Sequence, residues 1–223
     1  MFEFFANLNF IGLALDCFFS LSRVFIGLAL ATFIGVSLGL ARSLLPRVFK
    51  RNWLLKFLFE APKFPPPIAW IPFVILIFGI GEISAYIIVF LGAFPPIFIN
   101  AFEGAESVSF VIRDFARSLG LRGWRYLWRV ILPAASPQIF TGIRTGISMG
   151  WMSVIAAEMI SGQSGLGYAI QLNRLNMRYD LMVVDMLFIG LIGFFLFEAT
   201  VFLEKNIIPW HERSLAGKNN LII

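Results

Sequence analysis

Charge-free runs set the pattern of this chain. Residues 24–41, 64–81 and 83–102 contain no Asp, Glu, Lys or Arg, and each is long enough to fall within the ~17–25 residues that a helix needs to cross the hydrocarbon of a bilayer. A fourth span is expected at 138–160, with Arg144 and Glu158 inside it, and a fifth at 181–203, with Asp185 and Glu198 near its ends. Helix is the expected element because a segment in lipid must satisfy its own backbone groups, and the alternation of a barrel strand is absent. Residues 2–22 place Glu3 and Asp16 among aromatics. They read as an interfacial or lead-in helix, with a weak span as the alternative. The expected architecture is all-α, a polytopic transmembrane helical bundle of five core spans. Its expected divisions are an N-terminal helix at 1–22, a spanning unit at 23–205 with a long loop at 103–138, and a tail at 206–223.

Composition agrees with lipid as the solvent. Hydrophobic residues make up 59% of the 223, charged residues 14%, and the mean hydropathy is +0.84, too little charge to clothe a soluble domain of this length. The net charge of +5 does not lead to nucleic acid, because the basic residues flank apolar spans. Arg42, Arg47, Lys50, Arg51, Lys56 and Lys63 lie in one loop. Arg113, Arg117, Arg122, Arg125 and Arg129 lie in the long loop, and Lys205, Arg213 and Lys218 in the tail. Only Arg23, Arg174 and Arg178 fall on the other side. The positive-inside rule makes the basic side cytoplasmic and puts the N-terminus outside; a sixth span in 2–22 would move that terminus inside and change nothing else.

Catalytic chemistry has little to build on. Cys17 is the one cysteine and His211 the one histidine, so no internal disulfide, metal centre or His-based catalytic site is expected. Residues 1–10 carry Glu3 and no basic n-region, so no cleavable signal is expected. No G-x-x-x-x-G-K-[ST] phosphate loop occurs, and Gly217-Lys218 lacks its spacing. The chain is therefore expected to be no enzyme, with its energy supplied by a partner or an ion gradient.

Within the long loop two short helices are expected. One covers 106–119, with Val108, Val111, Phe115 and Leu119 apolar and Arg113, Asp114 and Arg117 polar. Gly120 breaks it, and a second helix at 122–132 is stopped by Pro133. Small residues recur every four at Gly27, Ala31, Gly35 and Gly39, and again at Gly142, Gly146 and Gly150. That spacing lines one helix face and lets backbones approach closely, within or between subunits.

The long loop also carries a resemblance. It reads Asp114-Phe115-Ala116, Arg117-Ser118-Leu119, Gly120, nine residues, then Val130-Ile131-Leu132-Pro133. This resembles the cytoplasmic Glu-Ala-Ala, three residues, Gly, nine residues, Ile-x-Leu-Pro motif of permease subunits of binding-protein-dependent ATP-binding-cassette importers. The spacing is kept, with Asp for Glu, Phe for the first Ala and Val for Ile. The stretches PPPIAWIPFVILIFGIGE (65–82), ARSLGLRGWRYLWRVILPAASPQIFTGIRTGISMGWMSVIAAEMI (116–160) and SGQSGLGYAI (161–170) look like the taurine, aliphatic-sulfonate, nitrate and bicarbonate branch. Members usually begin with another span and an external loop, which this chain is expected to lack.

The resemblance implies a type I importer (MetI-like) permease fold. It implies a homodimer or pseudo-dimer of permease subunits in the cell membrane, two ATPase subunits that bind the ATP and Mg, and an extracytoplasmic substrate-binding protein. The substrate class implied is a small anion; a gradient-driven transporter or channel is the alternative function. Arg113, Asp114, Phe115, Ala116, Arg117, Gly120 and Pro133 would form the ATPase-coupling loop. The apolar side of its first helix would fill a groove of the ATPase, with Arg113, Asp114 and Arg117 at the rim. Prolines cluster at Pro65, Pro66, Pro67 and Pro72 and at Pro95 and Pro96, and broken helices are tolerated in membranes where they are buried or line a cavity. Trp70, Met149, Trp151, Met152 and Glu158 are the expected pathway residues. Arg144 and Glu158 are too far apart along one helix to pair, and each has interfacial anchoring as the alternative. Gly162, Gly165 and Gly167 read as a turn that contacts the binding protein or gates the pathway. From the basic asymmetry, single cysteines at Lys50 and Gly217 in a Cys17→Ser background should resist membrane-impermeant thiol reagents added outside; rapid external labelling of both would invert the orientation.

Overall fold

The computed structural model describes residues 10–44, 53, 57 and 65–209. The basic residues Arg47, Lys50, Arg51, Lys56, Lys63, Arg213 and Lys218 lie outside the described residues, as does the start of the expected N-terminal helix. All described regular structure is helical. The helices are α1 (Phe10–Leu44), α2 (Pro67–Phe78), α3 (Glu82–Glu106), α4 (Phe110–Ser118), α5 (Gly123–Tyr126), α6 (Leu132–Ser161), α7 (Leu166–Leu175) and α8 (Tyr179–Ile207), with a π-type turn at Leu127–Ile131 joining α5 to α6.

Three of these, α1, α3 and α8, are long and apolar enough to cross a membrane. The division expected between residues 22 and 23 does not coincide with a helix end, because α1 runs unbroken through it for 35 residues, about 52 Å of helix. The run at 64–81 behaves differently from expectation. It forms only the 12 residues of α2, about 18 Å and too short to span ~30 Å of hydrocarbon. Pro66 and Pro67 fix its start, and Gly79, at φ 76, takes the left-handed turn that ends it. Freedom from charge marks an apolar segment here, but neither one continuous helix nor a buried one: α2 buries only Ile71 and Val74.

Helix α3 is the spine of the bundle. The Gly27–Gly39 face of α1 lies on one side and the Gly142–Gly150 face of α6 on another. A Cβ added at Gly27 would stand 2.6 Å from Val89 Cβ, and one at Gly39 would stand 2.7 Å from the Phe98 carbonyl. At Gly142 it would stand 2.7 Å from Asn100 Cβ and 3.1 Å from the Pro96 carbonyl. Ala31, Ala93 and Ile97 are fully buried where α1 meets α3. Lipid tails offer no hydrophobic drive to bring apolar helices together, so the attraction comes from close van der Waals contact, which small residues permit. Helix α2 packs its Ile71 and Val74 against Ile88 of α3 and Ala157 of α6. Helix α8 has only Asp185 and Thr200 buried among its residues.

Gly142→Ala should therefore lower stability by about 1–3 kcal/mol through overpacking. Gly190→Ala, where an added Cβ meets nothing within 4 Å, should be neutral or slightly stabilising. Unfolding of the purified chain in detergent distinguishes them, and equal effects would mean that the ladder does not set the α3–α6 distance.

Candidate functional site

The 107–131 loop is held to the end of α3 by Arg113 and by the burial of Val108. The last carbonyls of a helix lack partners within it. Arg113 reaches back to supply donors: Nη2 to the carbonyls of Ala105 at 2.6 Å and Glu106 at 2.9 Å, and Nε to that of Val108 at 2.9 Å. Arg113 is thus drawn onto α3 and away from the rim where the sequence reading put it. Asp114 and Arg117 remain on the surface, 3.6 Å apart. Helix α4 buries only Ala116; Phe110, Val111, Ile112 and Phe115 are exposed, Phe115 by 66%. Val108 departs from that face and is buried in a core cluster with Leu40, Ala101, Ala105 and Ile139.

Gly120 closes α4. Its φ of 75 is the left-handed conformation that side chains resist. Around it Gly120 N–H donates to the Arg117 carbonyl at 2.9 Å and Leu121 N–H to the Ala116 carbonyl at 3.1 Å. This is the paired bonding of a Schellman C-terminus. Pro133 does not stop a helix, contrary to the expectation for 122–132. The chain turns helically from Gly123 onward, and the π-type turn, in which Leu132 N–H reaches the Leu127 carbonyl, precedes the proline. A wider turn there accommodates a residue that has no N–H and whose ring crowds the carbonyl four residues back.

The expected pathway residues divide. Met149 and Met152 are exposed on α6, on a stripe with Gln138, Thr145 and Ser148. Thr145 and Ser148 donate back to the Thr141 and Arg144 carbonyls at 3.0 and 3.2 Å, so their hydroxyl donors are satisfied without a neighbour. Trp151 is instead buried, its indole N–H donating to the Ile189 carbonyl of α8 at 3.1 Å. It locks α6 to α8. Trp70 is half-buried on the Ile71–Val74 cluster. Arg144 pairs with Glu204 of α8 at 3.3 Å.

Glu158 lines the cleft beside Arg23 but is buried, its side chain only 1% exposed. Arg23 Nη1 donates to its Oε1 at 2.7 Å, Ser20 Oγ donates to it at 2.9 Å, and Gly167 N–H donates to Oε2 at 2.9 Å. The start of α7 supplies that last donor. Its free amides are met in order by Asp16 (Gly165 N–H, 2.8 Å), Ser20 (Leu166 N–H, 2.9 Å) and Glu158, so carboxylates face the positive end of a helix dipole. Gly165, at φ +104, is required there: a Cβ would strike the Glu158 carboxylate. Arg23 also binds Glu82, the first residue of α3, whose side chain is 48% exposed. Sequence reading assigned Arg23 to a side of the membrane and missed its partners, which lie 59 and 135 residues away. The signal available was a lone arginine inside an apolar helix, which in lipid needs a counter-ion.

A glycine-packed helical bundle, ion-paired at one end and carrying an exposed amphipathic loop at the other, with three helices long and apolar enough to cross a membrane, has the architecture of a polytopic membrane protein. Residues 31–210 match the family described as binding-protein-dependent transport system inner membrane component, and the chain belongs to that family. It is 35% identical over 192 residues to the taurine transport system permease protein of Escherichia coli, covering 86% of this chain and 69% of that one. It is 31% identical over 202 residues to the nitrate import permease protein of a Synechocystis, covering 91% and 72%. The fold is also that of a chain in the MetNI methionine ABC transporter in inward facing conformations, with a TM-score of 0.63, 18% identity, and 89% and 93% of the two chains covered.

Glu158→Gln breaks a buried pair and should cost about 3–5 kcal/mol. Glu82→Gln, at a half-exposed partner of the same arginine, should cost about 0–1 kcal/mol. Unfolding of the two purified variants tests this, and similar losses would refute the division into a buried and an exposed arm.

Proposed function

We propose that this chain forms the translocation pathway of an ATP-driven importer and is driven by a separate ATPase subunit through the 107–131 loop. The observation that carries the reading is α4. It is held to the spine by Arg113, closed by Gly120, and presents Phe110, Val111 and Phe115 outward with Asp114 and Arg117 beside them. An apolar helix face with charges at its edge suits a groove in a soluble partner. Because Arg113 grips the last carbonyls of α3, a displacement of α4 would be passed to the helix that α1 and α6 both pack against. The ATP and Mg would be held by that partner.

In this reading the loop end is cytoplasmic, supported by Arg113, Arg117, Arg122, Arg125, Arg129 and Lys205 clustering there. The Arg23–Glu158 end faces the binding protein. The Thr145, Ser148, Met149 and Met152 stripe of α6 lines the pathway against a second permease subunit, since its satisfied hydroxyls tolerate water or a neighbouring helix. The substrate is a small anion of the sulfonate, nitrate or bicarbonate class, supported by relatives named for taurine transport and nitrate import.

Gly120→Val forces a β-branched residue into the left-handed region at about 1–2 kcal/mol, and Asp114→Lys reverses the charge beside the exposed face. Both should leave the spans inserted yet reduce ATPase co-purification and substrate-stimulated ATP hydrolysis several-fold in the reconstituted complex. Normal attachment and normal transport in both variants would remove the loop from the coupling role.

A further inference from the structure

Arg23 borders a cleft at the end of the bundle away from the loop, whose lining includes Ile80, Gly81, Glu82, Glu158, Ser161 and Gln163. The two edges of its guanidinium have unlike neighbours. The Nη1 side is buried against Glu158 and the Ser164 carbonyl, both at 2.7 Å. The other edge presents Nε and Nη2 side by side, and Glu82 spans it with Oε2 at 2.8 Å and Oε1 at 2.5 Å. That fork accepts any anion with two oxygens at carboxylate spacing. Glu82 is held less firmly than Glu158. Its side chain is 48% exposed against 1%, and it follows Gly79 and Gly81, both at positive φ with open space where a Cβ would stand.

We propose that the Nε/Nη2 edge of Arg23 is an oxyanion-binding site that Glu82 occupies in this conformation and yields to a small anion of the transported class. Glu158, Ser20 and the start of α7 hold Arg23 in place during the exchange. The anion takes over both hydrogen bonds that Glu82 leaves. The proposal rests on the small-anion reading of the substrate.

An internal competitor leaves a signature that a structural ion pair does not: removing it tightens binding. The test measures the thermal unfolding midpoint of the purified full chain in detergent against methanesulfonate, with chloride at equal ionic strength as control. Wild type should show a small rise at high concentration. Glu82→Gln should show the same rise at ten-fold or more lower methanesulfonate, and none with chloride. To locate the anion, Ile80→Cys combined with Glu82→Gln and Cys17→Ser should react with a sulfonate-bearing thiol reagent at a rate that methanesulfonate slows.

A Glu82→Gln chain with no tighter response to methanesulfonate than wild type overturns the proposal. So does a tighter response without slowed labelling at Ile80, which would put the anion elsewhere. ATPase co-purification with wild type is the independent readout of the importer reading. Intact co-purification with a negative anion result removes this site alone, whereas failed co-purification removes the reading beneath it.

Discussion

A carboxylate inside a membrane helix bundle must be neutralised where it stands, and the arrangement around Glu158 follows from that need. Three kinds of donor meet it: a guanidinium from α1, a hydroxyl from α1 and a backbone amide from the start of α7. Each donor belongs to an element whose position is then no longer free. Helix α1 must bring Ser20 and Arg23 level with the end of α6, and the glycine at 165 must let the chain fold back over the carboxylate. Desolvated charge of this kind contributes little net stability when complete and costs much when incomplete. It specifies one register of α1 on α6 more than it strengthens the bundle.

Below that cluster the packing of α1 and α6 on α3 relies largely on shape. Glycines at four-residue spacing on α1 and α6 let both helices close in on α3: a Cβ at Gly39 would collide with the Phe98 carbonyl, and one at Gly142 with Asn100 Cβ. In lipid this closeness replaces the hydrophobic effect as the source of cohesion. Near the opposite end Arg42 is buried over the rings of Phe102 and Phe98, at 4.4 and 5.7 Å from their centroids. Arg144 ties α6 to Glu204 of α8. Both ends of the bundle are therefore fixed by cations at helix junctions, with a smooth, close-packed middle between them.

The two ends differ in what they leave uncovered. Around Glu158 every described buried side-chain polar atom has a partner, and Glu82 is the more exposed of the two carboxylates on Arg23. At the loop, α4 leaves most of its apolar surface outside while its attachment to α3 is fully made. In the proposed reading, that exposed face is where a partner would press. A saturated cluster with one exposed arm is the form expected of an element that can exchange a ligand.

Much of this was legible in the chain itself. Charge-free runs located the apolar helices, the four-residue spacing of small residues marked the faces that pack on α3, and Gly120 marked the end of α4, because each depends on local composition or helical period. The same local reasoning overextended the 64–81 run, whose prolines and glycines leave only a short helix. It also stopped a helix at Pro133, which a π-type turn accommodates. It placed Trp151 and Glu158 on a pathway and Arg113 on a docking rim. Helical period does not say which groups arrive beside each side chain: Ile189 for Trp151 and Arg23 for Glu158 from other helices, the last carbonyls of α3 for Arg113 from just upstream. Period and composition determine which face of a helix is buried. The partner of a buried charge is set by the three-dimensional meeting of segments far apart in the chain, 59 and 135 residues at Arg23, and only the tertiary structure decides it.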